Sequence, residues 1–358
     1  MSKIYQIYGS DAHIMTKELL KAANAISLID ASNKTVALKP NLVVAGTPER
    51  GAVTHPGVLS GAIEYFIENN INVKDISIIE GSWVGDETMR AMRRAGYDKV
   101  CEKYNVKFHD LKKDNTRDID TAIGKIAVCV KALDAGLLIN LPVLKGHCQT
   151  VMTCALKNLK GCLPDREKRR FHALGLTKPI AALGAALKPK LTIVDSICGD
   201  LDFEEGGNPV QTNRMCLGFD AVKLDAYGLN LMGLSFNDVP YVKLAEKYGG
   251  GVAEVLEQDI INLNEPENSQ TENYRVSGIV ANLTKRVKQD KACSACFANL
   301  VRALHITGRT DIDISIGQGW RGKEIKGLGV GVCCKNADKC VMGCPPDARA
   351  IAEVLESY

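Results

Sequence analysis

From residue 1 to about residue 230, short β-branched runs alternate with helical segments, and this alternation constrains the fold more than any other feature. The extended runs are Lys3–Tyr8, Thr35–Leu42, Ile76–Glu80, Gly136–Leu141 and Leu191–Val194. Helical segments include Met15–Ala25, Pro56–Asn69, Glu87–Ala95 and Lys178–Leu187. Strand and helix in turn predict an α/β fold: βαβ units forming a mainly parallel sheet with helices on both faces. No internal repeat of fixed period interrupts the pattern.

After the alternation ends, the polar stretch 262–273 reads as a linker. It divides an α/β domain, residues 1–265, from a small C-terminal cysteine-rich module, residues 273–358. In that module a helical segment carries Cys293 and Cys296, a hairpin is expected around residues 316–327, and a closing helix over Pro346–Leu355.

Six of the thirteen cysteines lie in this tail: Cys293, Cys296, Cys333, Cys334, Cys340 and Cys344. Cys293 and Cys296 form a Cys-x2-Cys pair, which lets two thiolates reach one metal centre from a single turn. Further sulfurs from a distant loop would close a four-thiolate site. Gly343 allows close backbone approach, and Pro345 stops a helix beside it. The pattern points to a 4Fe–4S cluster. Tetrahedral zinc is the competing reading, because spacing alone does not choose iron over zinc.

In an open parallel sheet, ligands bind outside the carboxyl ends of the strands. Four of these strands deliver polar groups there: Lys39 and Asn41, Glu80, Lys145 with His147, and Asp195. The stretch from Lys145 to His172 adds Lys157 and Asn158. Lysines on loops at one sheet edge suit a phosphate or carboxylate, so Lys39, Asn41, Lys145, Lys157 and Asn158 are candidate ligands of a small anion. His147 and His172, with Asp195 and Asp225, are candidate proton carriers, or holders of a divalent cation at an Asp/His edge. The bland alternatives are a solvated basic loop, satisfied structural histidines, Asp220 as a helix cap and Asp225 paired with a cation. The acidic run around Asp200, Asp202, Glu204 and Glu205 reads as a mobile loop over the site. Cys148, Cys154 and Cys162 fit no metal-ligand spacing and read as buried thiols.

A formal net charge of +3 implies no polyanionic partner, and 5% aromatic residues argue against a stacking platform for nucleic acid. The N-terminus has no apolar signal core, and no run reaches a membrane-spanning length. A cytoplasmic location is expected, where thirteen cysteines are read as ligands or buried small hydrophobes rather than disulfides. Dinucleotide and P-loop fingerprints are absent, as is a nucleophile elbow.

Several motifs, taken in order, resemble one family: LKPNLV at Leu38–Val43, the Thr54–Pro56 turn, LPVLKGH at Leu141–His147, ALKNLKG at Ala155–Gly161, His172, IVDSICG at Ile193–Gly199, and the Asp220/Asp225 pair. These are similar to the domain of unknown function 362 over roughly residues 1–235. Members of that family often carry iron–sulfur ligands at the C-terminus, commonly as a bacterial ferredoxin module. This chain departs from that pattern, having no Cys-x2-Cys-x2-Cys-x3-Cys-Pro run. Its tail instead resembles the cluster-binding pattern of nickel–iron hydrogenase small subunits. That resemblance implies Cys293, Cys296, Cys333 and Cys344 as ligands, with Cys334 and Cys340 as rivals for the third place.

Three readings of function follow. The first is an anaerobic redox enzyme or electron-transfer protein acting on a small anion at the strand edge. The second is a non-redox isomerase, lyase or transferase with a structural cluster or zinc. The third is a carrier whose tail docks a redox partner protein.

Overall fold

The computed structural model describes residues 2–266 and 278–358. The chain divides into two compact units: residues 1–82, 86–167 and 177–276 form the first, and residues 83–85, 168–176 and 277–358 the second. The units thus do not follow the chain linearly. Two short segments from the first half of the sequence belong with the cysteine-bearing tail.

The first unit is built on an eight-stranded sheet. Its strands are β1 (Ile4–Tyr8), β2 (Val36–Pro40), β3 (Ile76–Glu80), β4 (Lys107–Asp110), β5 (Leu137–Leu141), β6 (Leu191–Asp200), β7 (Pro209–Gly218) and β8 (Ile260–Asn262). Their order is β8-β1-β7-β6-β5-β2-β3-β4. All neighbours pair parallel except β7, which runs antiparallel to both β1 and β6. Every residue of β2 is buried, as a central strand of a parallel sheet covered on both faces requires. Leu38, Ile78, Ile139, Ile193 and Leu217 are members of the continuous core.

The helices start where local chemistry dictates. Asp11 caps α1 (Ala12–Ala22), accepting from the backbone N–H of His13 and Ile14. Pro56 opens α2 (Pro56–Glu68) at its first position, where a missing N–H costs nothing. Further helices are α3 (Thr88–Arg94), the single turn α4 (Ala155–Asn158), α5 (Thr177–Leu187) and α6 (Ala221–Met232). Asp220 caps α6, accepting from the backbone N–H of Val222 and Lys223. Gly233, at φ 65°, ends that helix.

Several expectations need correction. The strand expected at Leu191–Val194 runs on to Asp200, because β7 returns antiparallel beside it. Asn262, expected in the linker, is the last residue of β8 and pairs with Gln6. The rest of the expected linker, from residue 267 onward, lies outside the described residues. The acidic run is not a solvated mobile loop: Asp200, Asp202, Glu204 and Glu205 are all buried. Asp200 pins it by accepting from the backbone N–H of Asp202, Phe203, Gly207 and Asn208 at 2.6–2.9 Å.

The second unit has a four-stranded sheet in the order β9-β10-β11-β12: β9 (Val287–Gln289), β10 (Ile314–Ile316), β11 (Ile325–Val330) and β12 (Ala337–Val341). All three pairings are parallel, so the hairpin expected around residues 316–327 does not form. Gly317, at φ 121°, turns the chain into a short 3-10 segment, Gln318–Trp320, and β11 then re-enters the sheet in the same direction as β10. Helices α7 (Ser294–Thr307) and α8 (Ala348–Glu356) complete the unit. No helix among the described residues is long and apolar enough to cross a membrane.

Candidate functional site

At the carboxyl ends of β2, β3 and β5, the first unit gathers a buried polar network. Lys39 Nζ lies 2.6 Å from Glu80 Oε2, with both side chains almost wholly buried. Asn41 donates to Asn158 Oδ1 at 2.8 Å, and Asn158 donates to Asn140 Oδ1 at 2.8 Å. Thr54 stitches the same edge, accepting from the Asn41 N–H and donating to the Leu141 carbonyl. Gly161 has to lack a side chain: a Cβ there would lie 1.9 Å from Glu80 Oε1 and 2.7 Å from Lys39 Nζ. The LKG ending of the Ala155–Gly161 motif therefore has a packing cause.

Two of the three candidate lysines are already engaged by protein oxygens, Lys145 through all three of its donors and Lys39 through two. Lys39 serves Glu80 and the Pro40 carbonyl. Lys145 donates to Asn41 Oδ1, to the Ala52 carbonyl and to the Glu204 carbonyl. Burial pushes its ammonium down to about 8, opposed by the nearby Glu204, Asp200 and Glu205. Lys157 differs. Its Nζ makes one hydrogen bond among the described residues, 3.3 Å to Thr153 Oγ1. Burial, opposed by Glu204 and aided by Lys145, pushes it down to about 7.

The short hairpin formed by Lys145–His147 and Val151–Thr153 lies under the pinned loop. A Cβ on Gly146 would meet the Leu201 carbonyl oxygen at 2.3 Å, so the two loops are in close backbone contact. His147 Nδ1 accepts from the Gln149 N–H at 3.0 Å, which leaves the neutral ring's proton on Nε2. That Nε2 sits 3.3 Å from Glu204 Oε1. Glu204 Oε2 accepts from the Cys148 N–H. Cys148 Sγ and one carboxylate oxygen from each of Glu204 and Glu205 all lie within 4.8 Å of one another.

The remaining candidates are placed elsewhere. Asp195 accepts from the backbone N–H of His55 at 2.8 Å and of Ile197 at 3.1 Å. It lines a separate cleft with Glu49, His55 and Cys198. Asp225 pairs with no cation among the described residues; it accepts from the Leu156 N–H at the start of α4, and burial pushes its carboxyl up to about 7. His172 belongs to the second unit, with Nε2 3.4 Å from the Ser294 N–H nitrogen and hydroxyl. It is therefore described with the cysteine-bearing unit.

In the second unit, Cys293, Cys296, Cys333 and Cys344 line one cavity, together with Arg169, Gly331, Gly343 and Arg321. Cys293 is the N-cap of α7 and Cys296 lies in its first turn. Cys333 sits in the 3-10 turn after β11, and Cys344 follows β12. The rivals do not line this cavity. Cys334 is fully buried, which pushes its thiol up to about 11, and Cys340 Sγ contacts the Gly331 carbonyl. Two side chains donate to sulfurs: Arg321 Nε to Cys333 Sγ at 3.3 Å, and Gln318 Nε2 to Cys293 Sγ at 3.6 Å. Burial, then the neighbouring thiols, drive the Cys296 thiol well up. Cys293, Cys296 and Cys333 are half-buried and Cys344 is exposed.

Four cysteines around one cavity are a donor set that suits a 4Fe–4S cluster or a zinc ion. Four thiolates on one zinc would stand about 3.8 Å apart, given Zn–S bonds of roughly 2.3 Å. Among the described residues, the one group of three or more donors lying within 4.8 Å of one another is Cys148, Glu204 and Glu205. No three of the four cavity sulfurs lie within that distance of one another.

Glu80, Thr54, Asn140, Cys148, Glu204 and Glu205 are the site residues that the sequence motifs did not single out as ligands. Glu80 carried a usable signal in its place at a strand end beside three others. Cys148 carried none, because its carboxylate neighbours lie 56 and more residues away in the chain.

Comparison with known proteins adds the following. Residues 36–230 match the family described as "Domain of unknown function (DUF362)". A thylakoid-associated protein of Synechocystis sp. is 25% identical over 208 residues, covering 55% of this chain and 61% of that protein. The chain thus spans less than two thirds of the relative's length. Among solved structures, the lactate racemase apoprotein of Thermoanaerobacterium thermosaccharolyticum is similar in part, with a TM-score of 0.39 and 16% identity over 57% of this chain and 52% of that one.

Proposed function

The chain belongs to the DUF362 family, and we propose that this member is a 4Fe–4S protein whose α/β unit handles a small anion at the strand edge. Cys293, Cys296, Cys333 and Cys344 would hold the cluster. The observation that carries this reading is the convergence of four cysteines, from three separate stretches of chain, on one cavity. A 4Fe–4S cluster supplies one-electron transfer when bound. The start of α7 places a positive dipole end beside Cys293 and Cys296, and Arg169 and Arg321 add charge that favours an anionic centre.

In the first unit, the three-lysine clamp reduces to one residue. Lys39 and Lys145 would fix the sheet edge, Lys145 with all three donors on protein oxygens and Lys39 through its buried pair with Glu80. Lys157 keeps donors to spare and is balanced near neutrality, so it would hold the anion or move a proton to or from it. An amine poised in this way favours an enzyme over a simple carrier.

Anaerobic purification with absorption, iron, sulfide and zinc analysis tests the cluster. The expected result is a broad band near roughly 400 nm that bleaches on reduction, with about four irons per chain. Loss of the band in Cys296→Ser, but not in Cys340→Ser, would identify the ligand set. A colourless protein with one zinc would overturn the reading.

A further inference from the structure

We propose that Cys148, Glu204 and Glu205 form a second metal site, in the first unit, for a divalent transition ion of the zinc class. It stands independently of the cluster reading, because it shares no residue with the cysteine cavity.

Three observations carry it. The first is convergence: one sulfur and two carboxylate oxygens lie within 4.8 Å of one another. The second is that Glu204 is 2% exposed and its Oε1 makes no hydrogen bond of good geometry among the described residues, the His147 Nε2 standing 3.3 Å away, on the same carboxylate that faces Cys148. A buried carboxylate oxygen left in this way is costly unless a cation completes it. The third is rigidity. Asp200 clamps the loop bearing Glu204 and Glu205 through four backbone N–H groups. Contact between Gly146 and Leu201 seats Cys148 against that loop. The Cys148 N–H then fixes Glu204 Oε2, and His147 Nε2 stands 3.3 Å from Oε1. Supported ligands of this kind are what a metal site requires beyond its donors.

The donor set chooses the class of ion. One thiolate with two carboxylates is too soft for magnesium or calcium and suits zinc, cobalt, nickel or ferrous iron. On loading, Cys148 releases its thiol proton to solvent and forms the metal–sulfur bond, and no electron moves. His147, with its proton on Nε2, is placed to orient Glu204 and not to ligate. The rival account is that the carboxylates are balanced by lysine charge alone. Lys145 does not meet them directly, since it bonds to the Glu204 backbone carbonyl.

The test uses the full-length protein, purified anaerobically and dialysed against micromolar Co2+ or Zn2+, with metal content measured beside iron. The proposal expects one further equivalent per chain and, with Co2+, a near-ultraviolet thiolate-to-cobalt band. Cys148→Ser should abolish both with iron content unchanged, and Glu204→Gln should weaken binding at least tenfold. Should the cysteine tail take up Co2+ instead of a cluster, that equivalent would disappear in Cys296→Ser and persist in Cys148→Ser, which separates the two sites. Alkylation of Cys148 in the unmutated protein, followed by mass spectrometry, covers variants that fail to fold: Zn2+ should slow it at least tenfold. Equal metal content in wild type and Cys148→Ser, or alkylation indifferent to Zn2+, overturns the site in favour of lysine balance.

Discussion

Arg321 Nε donates to Cys333 Sγ across 3.3 Å, so a guanidinium meets one of the four cavity sulfurs. A charge-assisted bond to sulfur favours the state with more negative charge, and for a cluster that is the reduced state. With the proposed cluster held at Cys333, Arg321→Met should therefore lower its potential. If the bond is worth about 1.4 kcal/mol, the shift for a one-electron couple is on the order of 60 mV. Redox titration followed by electron paramagnetic resonance reads it directly, and Arg321→Lys should recover only part of the loss. An unchanged potential in Arg321→Met would show that the contact does not act on the cluster.

The Lys39–Glu80 pair makes a second prediction, concerning stability. Both side chains are buried, so removing one partner leaves the other uncompensated. Glu80→Gln should cost about 3–5 kcal/mol in denaturant unfolding. Gly161→Ala should also destabilise, because its Cβ would enter the space of Glu80 Oε1. Near-neutral unfolding midpoints for both variants would remove the pair from the architecture of the edge.

How much of this was legible in the sequence depended on the range of the interaction. Strand Ile76–Glu80 has its observed bounds, and β2 and β5 fall within a residue or two, because β-branched runs report burial locally. Asp220 was readable as a cap for the same local reason. Convergence at strand ends was readable too, since the topology of a parallel sheet enforces it. The division of labour among the lysines was not. Lys39 has Glu80 within reach, 41 residues along the chain, and Lys157 has no carboxylate bonded to it among the described residues. His172 lies 15 residues after Lys157, and the chain passes into the second unit between them. Cys148 looked inert because a thiol with carboxylates from a distant loop has no spacing rule to find it by. The parallel course of β10 and β11 escaped notice because glycine-rich connections read as hairpins when strand direction is unknown.

Lys157 should make anion binding pH-dependent around neutrality. Its ammonium is pushed down to about 7, so the charged form prevails below that pH and is lost above it. Affinity for a simple dicarboxylate such as malonate, measured by calorimetry, should fall by about tenfold per unit as pH rises past 7. Lys157→Met should bind weakly at every pH and show no such slope. Flat affinity between pH 6 and 8.5 in the unmutated protein would remove Lys157 from the anion site.

Asp225 predicts a pH dependence of stability that can be isolated by one substitution. Burial raises its carboxyl from an ordinary 3.8 to about 7 in the folded chain. Between those values the folded state holds a proton that the unfolded state has released, so stability falls as pH rises. The favourable contribution is complete below about 4 and is lost as pH passes through about 7. The whole span is of order 4 kcal/mol. Asparagine keeps the oxygen that accepts from the Leu156 N–H and cannot ionise. Asp225→Asn should therefore match the parent near pH 4 and exceed it in stability at pH 8, with the gap opening steadily between. Parallel stability curves for the two proteins across that range would mean that Asp225 is ionised in the folded state. The hydrogen bonds at the start of α4 would then be holding a carboxylate and not a neutral acid.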